Sequence, residues 1–304
     1  MNLKDVESIV KIAQEGNIAR AADKLFITPS ALTQQLQHLE EEIGTPLFTR
    51  SRKGCALTEA GTIYLESARQ ILNIRRETYH RLQDISATKK GSLSIGLPPE
   101  RGVAMFRYLY PRFHEQYPEI TIRVHEVNVR QQQTMISAGE LDLGFMTLCE
   151  HQKTADEYQI LNKEEILLAL PEHHPAGRHA ATKKNRPFPV LDISVLQHEP
   201  FALIFNGSTL RDLQDHIFKD AGFAPTILFE TARLSTILAV AADHICCGLI
   251  PASFAWQSTP GISFFTLPER PSWLQAVSYQ KRSHQTKAAR FLISLASDYW
   301  KQPL

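Results

Sequence analysis

The chain has 304 residues, 43% hydrophobic and 21% charged, with a formal net charge of +1, which suits a globular protein of two or three domains. No apolar run approaches the roughly 20 residues of a membrane helix, and acids interrupt what would be the basic start of a signal peptide, so a cytoplasmic protein with no membrane partner is expected. The four cysteines, Cys55, Cys149, Cys246 and Cys247, show neither a disulfide framework nor metal-ligand spacing, so reduced thiols and no metal or cofactor are expected.

Residues 1–58 carry seven Lys/Arg against seven Asp/Glu, so bulk charge does not mark a nucleic-acid binder and placement has to be read instead. Leu3, Val6, Ile9, Val10 and Ala13 recur at helical spacing over residues 3–14, and Gly16 supplies a stop. Asn17 is placed to cap a second helix over residues 18–25, and Thr28-Pro29 gives a cap followed by proline at the first helical position of a third. In that third helix Leu32, Leu36, Leu39 and Ile43 form an inner stripe that leaves Ser30, Thr33, Gln34, Gln37 and His38 outside. Gly44-Thr45-Pro46 ends it. Residues 49–55, with Gly54 and the cations Arg50, Arg52 and Lys53, then fit an exposed hairpin resembling a wing.

Thr58 is placed to cap a long helix reaching about residue 86, with Tyr64, Leu65, Ala68, Ile71, Leu72, Tyr79, Leu82 and Ile85 along one side and Arg75 interrupting them. Some 28 residues at about 1.5 Å each make a rod of roughly 42 Å. Such a rod needs a partner for its stripe, so dimerisation is expected. Residues 87–92 read as a hinge, after which apolar strands alternate with amphipathic helices. A strand over residues 92–97 leads through Pro98, Pro99, Glu100 and Arg101 into a helix with Val103, Phe106, Leu109, Tyr110 and Phe113 inward. Strands over 120–127 and 141–146, the latter ending at Thr147, flank a helix over 129–138, which implies a parallel sheet. A second set has strands near 166–170, 201–205, 226–230 and 245–250 with helices at 209–220 and 233–242. A strand at 274–279 and a helix at 285–300 are expected to return to the first lobe. Residues 171–189 read as a surface loop, and His173, His174 and His179 there show no metal spacing.

The run Ala21-Ala22-Asp23-Lys24-Leu25, Thr28-Pro29-Ser30-Ala31-Leu32-Thr33-Gln34-Gln35-Leu36, His38-Leu39-Glu40, Gly44-Thr45-Pro46-Leu47-Phe48, Arg50 and Leu57-Thr58-Glu59-Ala60-Gly61 resembles the LysR-type transcriptional regulators of bacteria. The resemblance spans the N-terminal domain, and the remaining layout agrees with it. It implies an α/β protein with a winged helix-turn-helix over residues 1–58, a dimerising linker helix and hinge over 59–90, and an effector-binding domain over 91–304. The last is of periplasmic-binding-protein type, with lobe I from about 91–161 and 267–304 and lobe II from about 162–266. Its partners would be double-stranded operator DNA, a small-molecule effector, further copies in a homodimer or homotetramer, and RNA polymerase.

On this reading Ser30, Thr33, Gln34 and Gln37 face the bases, Arg50, Arg52 and Lys53 meet phosphates, and Thr28 at the start of the helix belongs to the same DNA-binding set. Positions 37 and 38, often basic in the family, hold Gln37 and His38, so the salt dependence of binding is expected to be shallow, by about 0.9 in log–log slope per missing contact. Ligands of open α/β sheets sit beyond the carboxyl ends of strands. That rule gives Pro98, Pro99, Glu100, Arg101, Thr147, Phe205, Asn206, Ser208, Thr209, Glu230 and Gly248 as effector-site residues, at positions like those the family uses. Ser208 and Thr209 begin a helix and suit either an anion or plain capping. Pro98 and Pro99 donate no backbone hydrogen bond where the family usually has hydroxyls, which points away from a carboxylate effector and toward an amine or an apolar body, with Arg101 still able to pair with an acid. A thiol-oxidation response of the same scaffold is an alternative. An enzyme is not expected, since no nucleophile elbow, dinucleotide or phosphate loop, or H-E-x-x-H is present.

Overall fold

The computed structural model describes residues 2–51, 54–85, 90–255 and 260–301, without the side chains of Arg50, Ser51 and Gln83. Arg52, Lys53 and residues 87–89 of the expected hinge therefore lie outside the described residues. The chain forms two compact units, one built chiefly on residues 2–85 and the other on residues from 90 onward.

The first unit opens with α1 (Leu3–Glu15), α2 (Ile18–Leu25) and α3 (Pro29–Ile43). The side chains of Asn2, Asn17 and Thr28 each accept the backbone N–H three residues on, and Gly16 and Gly44 end α1 and α3 in the left-handed conformation. Caps and stops, more than propensity, fix these boundaries. Ile9, Ile12, Ala21, Ala22, Leu32, Leu36, Leu39 and Leu47 form the core. Ile43 does not complete the expected stripe; one residue before the stop at Gly44, it is 41% exposed. Gln35 ties α3 to α1, accepting from Ser8 Oγ and donating to Asp5, each at 3.0 Å.

The hairpin follows as β1 (Phe48–Ser51) and β2 (Gly54–Leu57), paired antiparallel. Gly54 has φ 129°, and a Cβ there would stand 2.3 Å from the Gly16 carbonyl oxygen, so this strand start requires glycine. Next, α4 (Glu59–Ile85) packs Leu65 and Ala68 on Val6 and Val10 of α1. The Arg75 that breaks its stripe pairs with Glu7.

The second unit contains β3 (Gly91–Leu97), α5 (Arg101–Gln116), β4 (Ile120–Glu126), α6 (Val129–Ser137), β5 (Leu143–Leu148), β6 (Glu157–Pro171), β7 (Pro200–Ile204), α7 (Thr209–Asp220), β8 (Thr226–Thr231), α8 (Leu234–Ala242), β9 (Cys247–Pro251), α9 (Ala252–Ala255), β10 (Ile262–Thr266), β11 (Ser272–Tyr279) and α10 (Lys287–Lys301). The sheet order is β4-β3-β5-β11-β6-β9-β7-β8, with β10 also on β6. Only the outer parts are parallel: β4, β3 and β5 at one end, and β9, β7 and β8 at the other. The parallel sheet expected of the first three strands is present, and the whole is mixed because β11 and β6 run antiparallel through its centre. β6 is far longer than its apolar segment: residues 157–165 pair with β11 and 166–171 with β9 and β10. β11 joins β5, and α10 packs on α5 in one core. The inner face of α5 is Gly102, Met105, Leu109 and Phe113, while Val103 and Tyr110, expected inward, are 44% and 40% exposed. Glycine lets the helix start close to Leu97 and Pro98, so Gly102 and Met105 are buried in the first turns, while Leu109 and Phe113 are buried as expected.

Candidate DNA-reading surface and effector cleft

Burial of Leu32, Leu36 and Leu39 fixes the rotation of α3, and Ser30, Gln34, Gln37 and His38 face solvent with Thr33 half-buried beside them. Spacings of three and four place Ser30, Thr33, Gln34 and Gln37 on one strip. The strip carries hydroxyls and amides, which donate and accept, and no charge. Thr28 differs, since its Oγ1 accepts the Ala31 N–H at 3.2 Å and lies 3.1 Å from Ser30 Oγ. The chain reverses from α3 into the hairpin because Glu40 accepts the N–H groups of Leu47 and Phe48 at 2.7 and 3.1 Å. Arg50 lies in β1 opposite Cys55.

The second unit holds a cleft of about 580 Å³ between its lobes. The structure brings Pro98, Pro99, Glu100, Arg101, Thr147, Phe205, Asn206, Ser208 and Thr209 to its wall. Glu230 and Gly248 are not there. Glu230 ends β8 and its carboxylate is drawn to Arg211 of α7. Burial opposes the charge of Arg211, but the hydrogen bonds it donates to Glu230 and Asp215 and their charges outweigh it and raise its pKa. Gly248 stands near the start of β9, not at its carboxyl end, and a Cβ there would stand 2.3 Å from Ile237. The cleft also has walls the sequence reading missed, among them Asn128, Arg130, Gln133, His151, Asp212 and Trp273. The strand-end rule applies to the turn after β4 as well, and Asn128 there caps α6 by accepting the Gln131 N–H at 2.9 Å. Trp273 had no such signal: it enters because antiparallel β11 begins beside the end of β5, Leu274 opposite Leu148.

The two charges after β3 are already engaged. Glu100 has φ 60° and ψ −67°, and the Arg101 N–H donates back to the Pro99 carbonyl at 2.7 Å, a tight three-residue turn. Its carboxylate accepts from the Leu234 N–H at 3.3 Å and Ser235 Oγ at 3.4 Å, at the amino end of α8. Arg101 turns inward to Glu164 at 2.8 Å, donates to Ser253 Oγ at 3.2 Å, and lies over the rings of Trp273 and Trp300 at 5.2 and 5.1 Å. Burial opposes ionisation of Glu164, but the charge of Arg101 and hydrogen bonds from Ser253, Arg101 and Trp273 prevail and hold its carboxyl below the usual range. The expectation of a free Arg101 for an acidic ligand is therefore corrected: its guanidinium is consumed by a buried partner. Ser208 caps α7, accepting the Arg211 N–H at 3.1 Å, and still lines the cleft.

Cys149, Cys246 and Cys247 are buried. Burial, then the charge of Asp212, pushes Cys149 up; burial raises Cys246, and burial with Glu199 and Cys246 raises Cys247 to about 12. Thiolates are the reactive form, so these surroundings disfavour oxidation. Among the described residues no cluster of His, Cys, Asp and Glu is placed to hold a metal ion, and no helix is long and apolar enough to cross a membrane.

A capped helix-turn-helix followed by a hairpin, with a separate two-lobed unit enclosing a cleft, defines a regulator that reads DNA with one unit and senses a small molecule with the other. Residues 3–62 match the bacterial regulatory helix-turn-helix protein, lysR family, and residues 86–301 match the LysR substrate binding domain. The chain belongs to the LysR family of DNA-binding transcriptional regulators. It is similar to the uncharacterized HTH-type transcriptional regulator YcgK of Bacillus subtilis (strain 168), 25% identical and covering 99% of this chain and 96% of that one. In fold it is similar to full-length OxyR from Pseudomonas aeruginosa, with TM-score 0.72, 22% identity, and 99% and 95% of the two chains covered. It is also similar to full-length CbnR complexed with its target DNA, with TM-score 0.51, 23% identity, and 98% and 100% covered.

Proposed function

We propose that this regulator reads its operator with Ser30, Thr33, Gln34 and Gln37, while Thr28 positions the amino end of α3 and Arg50, Arg52 and Lys53 meet backbone phosphates. The uncharged polar strip on α3, with its rotation set by the leucines beneath, carries this reading. Hydroxyls and amides discriminate base edges, whereas cations on phosphates would add affinity without sequence. The domains would run from 1–58, 59–90 and 91–304, with α4 pairing subunits in a homodimer or homotetramer acting in the cytoplasm.

The effector would occupy the cleft. Glu100 and Arg101 shape it without offering free charge, so the ligand has an apolar body that rests on Pro98, Pro99, Phe205 and Trp273. Its polar group faces Thr147, Ser208 and Thr209, with Arg130 at the mouth. A metabolite screen by thermal shift tests this, because a ligand of the folded state raises Tm by mass action. The expected hit loses its shift in Thr147→Ala and Ser208→Ala; unchanged shifts in both variants would refute the site. The role as a regulator follows from the family to which the chain belongs, and on this reading it catalyses no reaction.

A further inference from the structure

Phe26 stands between α2 and α3 with its side chain 95% exposed. Its backbone is left-handed, φ 58° and ψ 39°, at the end of α2. The Phe26 N–H donates to the Asp23 carbonyl at 3.3 Å and the Ile27 N–H to the Ala22 carbonyl at 3.1 Å. This is the helix-ending turn that favours glycine or asparagine, and a bulky residue there is strained. Neither packing nor backbone preference therefore accounts for a phenylalanine. Two residues later Thr28 caps α3, and Ile27, Pro29 and Ala31 are exposed as well. The exposed ring thus belongs to the residue two positions before the cap of the helix that carries the strip.

A major groove presents donors, acceptors and one apolar feature, the 5-methyl group of thymine. Ser30, Gln34 and Gln37 suit the first two; for the methyl, the small methyl groups of Thr33 and Ala31 are joined by the far larger exposed ring of Phe26. We propose that Phe26 is a specificity-determining contact that reads thymine methyl groups beside α3. The assignment rests on α3 being the recognition helix.

The test uses the full chain and a duplex that the wild-type protein selects from a random-sequence library, made either with thymine or with uracil in its place. Phe26→Gly is expected to melt no lower than wild type, since glycine suits this turn, and to bind the thymine duplex about tenfold more weakly, the scale of one lost base contact. Wild type should lose about as much on the uracil duplex, and Phe26→Gly little more. Full affinity of Phe26→Gly, an equal uracil penalty in both proteins, a lowered Tm or an altered oligomeric mass would each overturn the proposal. Gln34→Ala separates the two levels: if it weakens binding while Phe26→Gly does not, the Phe26 assignment alone falls. If both are silent, the recognition-helix reading falls with it.

Discussion

Arg101 shows how a residue can be placed by its sequence and yet misread in its chemistry. Its position after β3 was legible, because strand, proline pair and helix fix the turn. Its partner was not, since Glu164 lies more than sixty positions away on a strand whose central part is polar enough to look like surface. Removing one member of a buried pair leaves the other uncompensated, so Arg101→Ala should cost about 3–5 kcal/mol in denaturant unfolding, with Glu164→Gln in the same background restoring part of it. The pair also sets an acid dependence. The pKa of Glu164 is lowered in the folded state, so its contribution is complete above the unfolded value of about 4.3 and is lost as pH falls through the folded value. A Tm profile in acid should therefore fall less steeply for Glu164→Gln than for wild type. Thr28 sits at the same scale: with its hydroxyl on the Ala31 N–H, Thr28→Ala should lower stability by about 1 kcal/mol, read as Tm.

Among the elements, α1 to α3 were legible to within a residue because asparagine, threonine and glycine punctuate them, whereas β6 was read only in its apolar half. The residues of its first half alternate with polar ones and pair with β11, which arrives more than a hundred positions later. On α5 Leu109 and Phe113 are buried as read, but its first turns bury Gly102 and Met105 instead of Val103, because helical spacing alone does not reveal how closely Gly102 approaches Leu97. On α4 the amino half is buried on α1, but Ile74, Tyr79, Leu82 and Ile85 are 54–82% exposed. Such a row needs a partner surface. Leu82→Glu with Ile85→Glu should therefore lower the molecular mass measured by analytical ultracentrifugation to that of one chain, while the far-ultraviolet spectrum of the α/β unit persists.

For the molecule as a whole, composition was nearly silent: +1 overall and an even balance over residues 1–58 conceal an uncharged strip on α3 and, in the sequence, three cations grouped within positions 50–53. Gln37→Arg should restore about one phosphate contact and steepen the dependence of log affinity on log salt by about 0.9, measured by fluorescence anisotropy from low to physiological salt. The cleft was recovered mostly from the strand-end rule; Glu230 is instead drawn to Arg211 and Gly248 lies early in β9 against Ile237. The central claim is that the uncharged strip of α3 supplies sequence discrimination and the basic residues supply affinity. It is tested by the ratio of affinities of the full chain for its selected operator and for a scrambled duplex at fixed salt. In the Gln34→Ala, Gln37→Ala double variant the ratio should collapse toward one while scrambled-duplex binding is kept; an unchanged ratio would contradict the account.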